Sequence, residues 1–184
     1  MKIDQPLTLA SASPRRRKLL ATLGLDFDIV VPEIDETPLP NEKPYIFAER
    51  LAEEKACAVS TNGIVIAADT IVVQNETIFG KPTDAAHARE MLQTLSGSVH
   101  EVITGVCIKD AARTEVFSVG TQVVFRILED AEIEDYIATG EPMDKAGAYA
   151  IQGGAAHMIR AINGSYTNVV GLPLCELHEV LISF

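Results

Sequence analysis

Aromatic residues are scarce in this chain, 5% of 184, and positive charge is outweighed by negative, with 15 Lys and Arg against 26 Asp and Glu for a net charge of −11. The first shortage leaves Leu, Ile, Val and Ala, within an apolar fraction of 47%, to fill the core, with Phe and Tyr as occasional large pieces. The second repels polyanions such as DNA or an anionic membrane, so any phosphate ligand must be small. Cysteine is rare too. Cys57, Cys107 and Cys175 lie far apart, share no histidine at metal-ligand spacing, and suit a reducing compartment by their odd count; they are expected to be buried thiols. No stretch approaches the length that spans a bilayer, and the apolar run after Met1 to Pro6 is too short for a signal-peptide core, so the expected location is the cytoplasm. A Gly-rich pattern ending in Gly-Lys-Ser/Thr is missing, which removes ATPases built on a P-loop.

What is present suits one mixed α/β domain over residues 1–184, long enough to bury about 70% of the surface its unfolded form exposes. Leu7 to Ala10 reads as a short buried strand. Ser13-Pro14 then starts a helix to Leu23, because Ser13 can accept from an orphan N–H and Pro14 sits where none is needed. Gly24 stops it before a strand at Phe27 to Val31, and a turn with Glu33, Asp35 and Glu36 follows. Pro44 to Ser60 is helical, with Ala48, Leu51, Ala52, Ala56 and Val59 on one face and Lys55 inside that stripe. Ile64 to Ala68 predicts a strand ending at Asp69-Thr70, then a hairpin from Ile71–Val73 to Thr77–Phe79, and a helix from about Asp84 to Leu95. Val99 to Ile108 and Thr114 to Phe125 predict an antiparallel pair, which makes the sheet mixed. Glu129 to Thr139 is an amphipathic helix stopped by Gly140. Pro142 to Gly154 has no clear period and is a candidate functional loop, Ala156 to Ile162 predicts a strand, and Pro173 opens a last helix.

Four positions depart from pattern. Ser13-Pro14-Arg15-Arg16-Arg17-Lys18 puts four cations in the first turns of a helix, where they oppose its dipole. A phosphate meeting the free N–H groups, the serine hydroxyl and the guanidinium groups relieves that conflict; a solvated basic face is the plain alternative. Lys55 must snorkel, find a buried partner or face a cleft. Asp69, at the expected strand end, lies where open α/β sheets hold ligands, against an ordinary capping role with Thr70. Lys81 sits in the stiff turn Gly80-Lys81-Pro82, where exposed turn lysines are common. Together they supply cations for a polyphosphate and, in Asp69 and Glu36, carboxylates for a hard divalent ion.

Leu9-Ala10-Ser11-Ala12-Ser13-Pro14-Arg15-Arg16, Leu51-Ala52-Glu53-Glu54-Lys55-Ala56, Ala68-Asp69-Thr70 and Gly80-Lys81-Pro82 are similar to the motifs of the Maf proteins. The likeness runs from Leu9 almost to the C-terminus. Glu141 to Gly153 and Gly171-Leu172-Pro173-Leu174 resemble the branch that hydrolyses dTTP and UTP, whereas the 7-methyl-GTP branch carries different residues there. The resemblance implies an elongated mixed sheet flanked by helices, in two lobes around a central cleft. It implies cleavage of a nucleoside triphosphate to the monophosphate and pyrophosphate with a divalent cation, Mg²⁺ or Mn²⁺, by a homodimer. Asp69 matches the proton acceptor or water activator, with Glu36 assisting at the metal. Arg15, Arg16, Lys55 and Lys81 match residues holding the triphosphate and Ser13 a phosphate contact, while Arg15, Thr70 and Gln152 match positions that determine substrate choice. Ala67 departs from the Gly that relatives often carry there. An amide at Gln152 offers a donor and an acceptor suited to the O4 and N3–H edge of thymine or uracil, the reverse of cytosine's pattern. A non-enzymatic regulator of septum formation is the competing class, and a nucleic-acid binder using Arg15 to Lys18 conflicts with the acidic balance.

Overall fold

Four consecutive buried residues, Leu7 to Ala10, form β1 (Leu7–Ala10), in a computed structural model that describes residue 3 and residues 5–184. Of the amino-terminal segment read for a leader, Met1, Lys2 and Asp4 lie outside the described residues. β1 has a parallel neighbour at each edge, β2 (Asp28–Val30), with Leu9 opposite Ile29, and β3 (Ile64–Gln74), with Leu9 opposite Ile66, and its two faces are buried in separate apolar cores. Between β1 and β2 runs α1 (Pro14–Ala21), two residues shorter than expected, with Ser13 Oγ accepting from the Arg16 N–H at its N-terminus and Gly24 at φ +69 beyond its end. α2 (Pro44–Cys57) ends three residues before the expected Ser60.

β3 corrects the expected strand end. It runs unbroken through Asp69 and Thr70 to Gln74, then turns at Asn75-Glu76, whose φ values of +49 and +65 are those of a two-residue hairpin, into antiparallel β4 (Thr77–Phe79). Polar residues do not interrupt it because side chains from other elements satisfy them in place. α3 (Ala85–Leu95) is capped by Asp84, whose Oδ1 accepts from the His87 N–H at 2.8 Å. β5 (Val99–Lys109) and β6 (Thr114–Phe125) follow as neighbours in the sheet, then α4 (Asp130–Ala138) with Gly140 at φ +73 after it. The 142–154 segment forms short 3₁₀ turns. Another covers Gly154–Met158, so the expected strand from Ala156 begins only at β7 (Ile159–Asn163), antiparallel to β6. α5 (Tyr166–Val170) was not foreseen, and α6 (Leu174–Leu181) follows Pro173 as expected.

The strands make one seven-stranded mixed sheet in the order β2-β1-β3-β5-β6-β7, with β4 on β3, and helices flank it. The chain divides into two compact units. One holds residues up to Thr70 with Thr104–Val119 and Gly171–Phe184, and the other holds Ile71–Ile103 with Gly120–Val170. In the first, alternation along β1 and β3 sends Leu7, Leu9, Ile64 and Ile66 to one core with Leu20 and Leu177, and Ala10, Val65 and Ala67 to another beneath α2 with Ala52 and Ala56. The small alanines let α2 lie close. At Gly105 on β5, a Cβ would stand 2.2 Å from the Ala48 carbonyl oxygen, so only glycine admits the helix there. The second unit is built around Met91, Leu92, Val102, Phe125, Ile133 and Met158.

Cys107 is the buried thiol expected, and burial pushes its pKa up to about 12, but Cys57 and Cys175 are exposed. The correction follows from helix geometry: Cys57 is the last residue of α2 and Cys175 lies near the start of α6, both turned from the cores. No helix among the described residues is long and apolar enough to cross a membrane.

Candidate active site

The chain leaving β1 turns sharply, the Ser11 N–H donating to the Leu9 carbonyl at 3.1 Å, and Ser13 N–H donates to Ser11 Oγ at 3.2 Å. This presents the N-terminus of α1 with Ser13 as its cap. Arg16, one turn in, reaches back as a fork: Nε donates to the Gly171 carbonyl at 2.8 Å, Nη2 to Thr70 Oγ1 at 2.9 Å and Nη1 to Ser11 Oγ at 3.3 Å. Thr70 Oγ1 also lies 3.0 Å from Thr104 Oγ1 on β5. Gly171 holds φ +120, a backbone state that favours glycine, and so turns its carbonyl to Arg16. Burial lowers the Arg16 pKa, the charge of Asp69 opposes that shift, and Arg15 reinforces it. Arg15 itself is half-buried, while Arg17 and Lys18 face solvent.

The lysine in the apolar stripe has found partners. Lys55, only 9% exposed, puts Nζ 2.5 Å from Asp69 Oδ1 and 2.6 Å from Glu36 Oε1. α2 supplies the ammonium, β3 the buried carboxylate, and the segment after β2 the second carboxylate, which is half-exposed. Desolvating Lys55 and Asp69 costs several kcal/mol per ion in general, and mutual attraction with a third charge is what offsets it. Two carboxylates thus converge on one cation. An ammonium stands there, and the hard oxygen donors around it suit a divalent ion of the Mg²⁺ type, which needs one or two carboxylates and takes its other oxygens from water and phosphate.

Lys81 and Gln152 belong to the second unit. Lys81 is exposed between Gly80 and Pro82, and the Gly80 carbonyl accepts from the Gly147 N–H at 3.0 Å. Gln152 is exposed as well, its Nε2 3.2 Å from Tyr166 Oη on α5. Sequence reasoning passed over Glu141. Its carboxylate accepts from the Gly154 N–H through both oxygens, at 3.0 and 3.2 Å, and from Tyr136 Oη at 3.2 Å, which fastens the turn that follows Gln152. Gly153, at φ +96, leaves that carboxylate room, since a Cβ would come within 2.6 Å of it. The signal available was the acidic residue heading a Gly- and Ala-rich segment.

A family model described as Maf-like protein matches residues 6–184. The chain belongs to the Maf-like protein family. This Maf-like protein is 56% identical over 186 aligned positions to the dTTP/UTP pyrophosphatase of Geobacter metallireducens, covering 98% of this chain and 97% of that one. It is 50% identical over 182 positions to the dTTP/UTP pyrophosphatase of Yersinia pestis bv. Antiqua, covering 97% and 92%. Among solved structures, the Staphylococcus aureus Ham1 protein aligns with 66% of this chain and 72% of its own at a TM-score of 0.42 and 15% identity, too remote to bear on the site.

Proposed function

We propose that this Maf-like protein is a nucleoside triphosphate pyrophosphatase that cuts dTTP and UTP between the α and β phosphates, with water as nucleophile and the monophosphate and pyrophosphate as products. The observation that carries the reading is the Lys55 ammonium shared by Asp69 and Glu36 in a chain that is half or more identical to relatives named for this activity. Asp69 accepts the proton of the attacking water, a task for which a positioned carboxylate contributes on the order of 10²–10⁴ in rate. Lys55, Arg15 and Arg16 neutralise phosphate oxygens as charge moves toward the leaving pyrophosphate, and Ser13 and the α1 N-terminus hold an oxygen by hydrogen bonds. Asp69 and Glu36 hold the divalent cation, Mg²⁺ or Mn²⁺, which when bound supplies charge neutralisation and Lewis acidity at the phosphates. Lys81 adds a cation for the triphosphate, and Arg15, Thr70 and Gln152 determine which base is accepted.

The same reading takes the enzyme as a cytoplasmic homodimer without nucleic-acid or membrane partners, and the net charge of −11 supports the last of these. A panel of nucleoside triphosphates with Mg²⁺ or Mn²⁺, scored for pyrophosphate against orthophosphate, tests the activity. Pyrophosphate from dTTP and UTP above all others is the expected result; orthophosphate alone, or no turnover, overturns it.

A further inference from the structure

Lys55 Nζ occupies the space into which Asp69 Oδ1 and Glu36 Oε1 both point, at 2.5 and 2.6 Å. We propose that Lys55 is a resident counter-ion that competes with the divalent metal for these two carboxylates and yields them when a triphosphate draws its ammonium aside. The inference rests on the assignment of Asp69 and Glu36 as metal ligands made above.

Both cations need the same oxygens. The Lys55 and Asp69 side chains are 11% and 10% exposed, so little water lies between them to screen a dication from the ammonium, and the two cannot share the pair without strong repulsion. In the nucleotide-free protein the ammonium therefore holds the carboxylates, and metal binds only to the fraction of molecules in which it has swung away, its apparent affinity reduced by that fraction. Glu36, half-exposed at 49%, is the side open to an entering hydrated ion. A lysine can make this exchange because its four-carbon stem moves the charge by rotamer changes while its helix stays in place. A bound triphosphate offers the ammonium new anionic partners, so nucleotide and metal each favour the binding of the other by the same factor. Metal is thereby loaded together with substrate and not before it.

Mn²⁺ alone, titrated into nucleotide-free protein and followed by electron paramagnetic resonance or calorimetry, tests this. Lys55→Met should bind Mn²⁺ at least about tenfold more tightly than the wild type, a coupling of ordinary size, whereas Lys55→Arg, which keeps the charge, should show no gain. Adding Asp69→Asn to Lys55→Met should abolish the gain. Lys55→Gln serves the same comparison if the methionine variant folds poorly, and Mn²⁺ should raise the melting temperature of the neutral variant more than that of the wild type. Equal or weaker binding by both neutral variants, with Asp69→Asn still lowering affinity, overturns the competition and leaves the ligand assignment standing. Binding indifferent to Asp69→Asn in every background overturns both.

Discussion

Arg16 Nη2 donates to Thr70 Oγ1 across 2.9 Å, joining the first turns of α1 to the residue that follows Asp69 on β3. The helix end bearing Ser13 and Arg15 is thereby fixed relative to the strand bearing the carboxylate. Because Arg16 also reaches Gly171 and Ser11, one guanidinium gathers four parts of the chain, and its planar fork rather than its charge alone does the gathering.

Thr70→Val keeps the shape and strand preference at this position but removes the hydroxyl to which Arg16 Nη2 donates and which lies 3.0 Å from Thr104 Oγ1. A loss of about 1–3 kcal/mol is expected, the range for unsatisfied buried polar groups, and Arg16→Lys should lose at least as much. Urea midpoints measure both. Unchanged midpoints would show that the tie contributes nothing to folding.

Asp69→Asn is isosteric and retains an acceptor for Lys55. Pyrophosphate release from dTTP should fall by about 10²–10⁴ in kcat with the fold intact by circular dichroism. Turnover within tenfold of the wild type would remove Asp69 from proton transfer.

Gln152→Ala should narrow the preference for dTTP and UTP over CTP more than it lowers kcat on dTTP, since an exposed amide can read a base without touching the reacting phosphorus. The ratio of kcat/KM values across the three nucleotides decides it. Losses of one size on all three nucleotides contradict a base-reading role.

His100 gives a pH dependence of stability. Its Nε2 lies 2.7 Å from Tyr149 Oη, its ring meets Phe125 and Tyr149 edge-on, and burial lowers its pKa from 6.5 to about 4. Below about pH 6.5 the unfolded chain takes up a proton that the native state refuses until about pH 4. Stability is therefore complete above that window and falls as pH drops through it, by about 3 kcal/mol in all. The advantage of the wild type over His100→Gln should shrink from pH 7 to pH 4 in urea titrations; a constant difference would mean that His100 does not titrate there.

The Ser13 cap was legible in the sequence because it is local: its hydroxyl accepts from an N–H three residues on. The oddity of Lys55 was legible too, since an ammonium inside an alanine and leucine stripe breaks an otherwise regular pattern. Its partners were not, because Glu36 and Asp69 are brought to it by packing that no spacing encodes. The same non-local contacts explain the misplaced end of β3. A carboxylate and a hydroxyl ordinarily close an apolar run, and here Lys55, Arg16 and Thr104 satisfy them so that the strand goes on. α5 is five residues long, too short for a helical period to show, and Glu141, although it heads a Gly- and Ala-rich segment, works through a backbone N–H and a tyrosine hydroxyl that its own position does not point to.

Gly105 makes no contact with the carboxylates, yet it sets where the ammonium can be. It seats α2 at Ala48, about 10 Å along the axis from Lys55 at 1.5 Å per residue. Any larger residue would lift the helix off the sheet in its first half and carry the charge with it. Libraries that diversify this protein can leave Lys55, Asp69 and Glu36 untouched, yet a methyl group at position 105 displaces the Lys55 ammonium from behind.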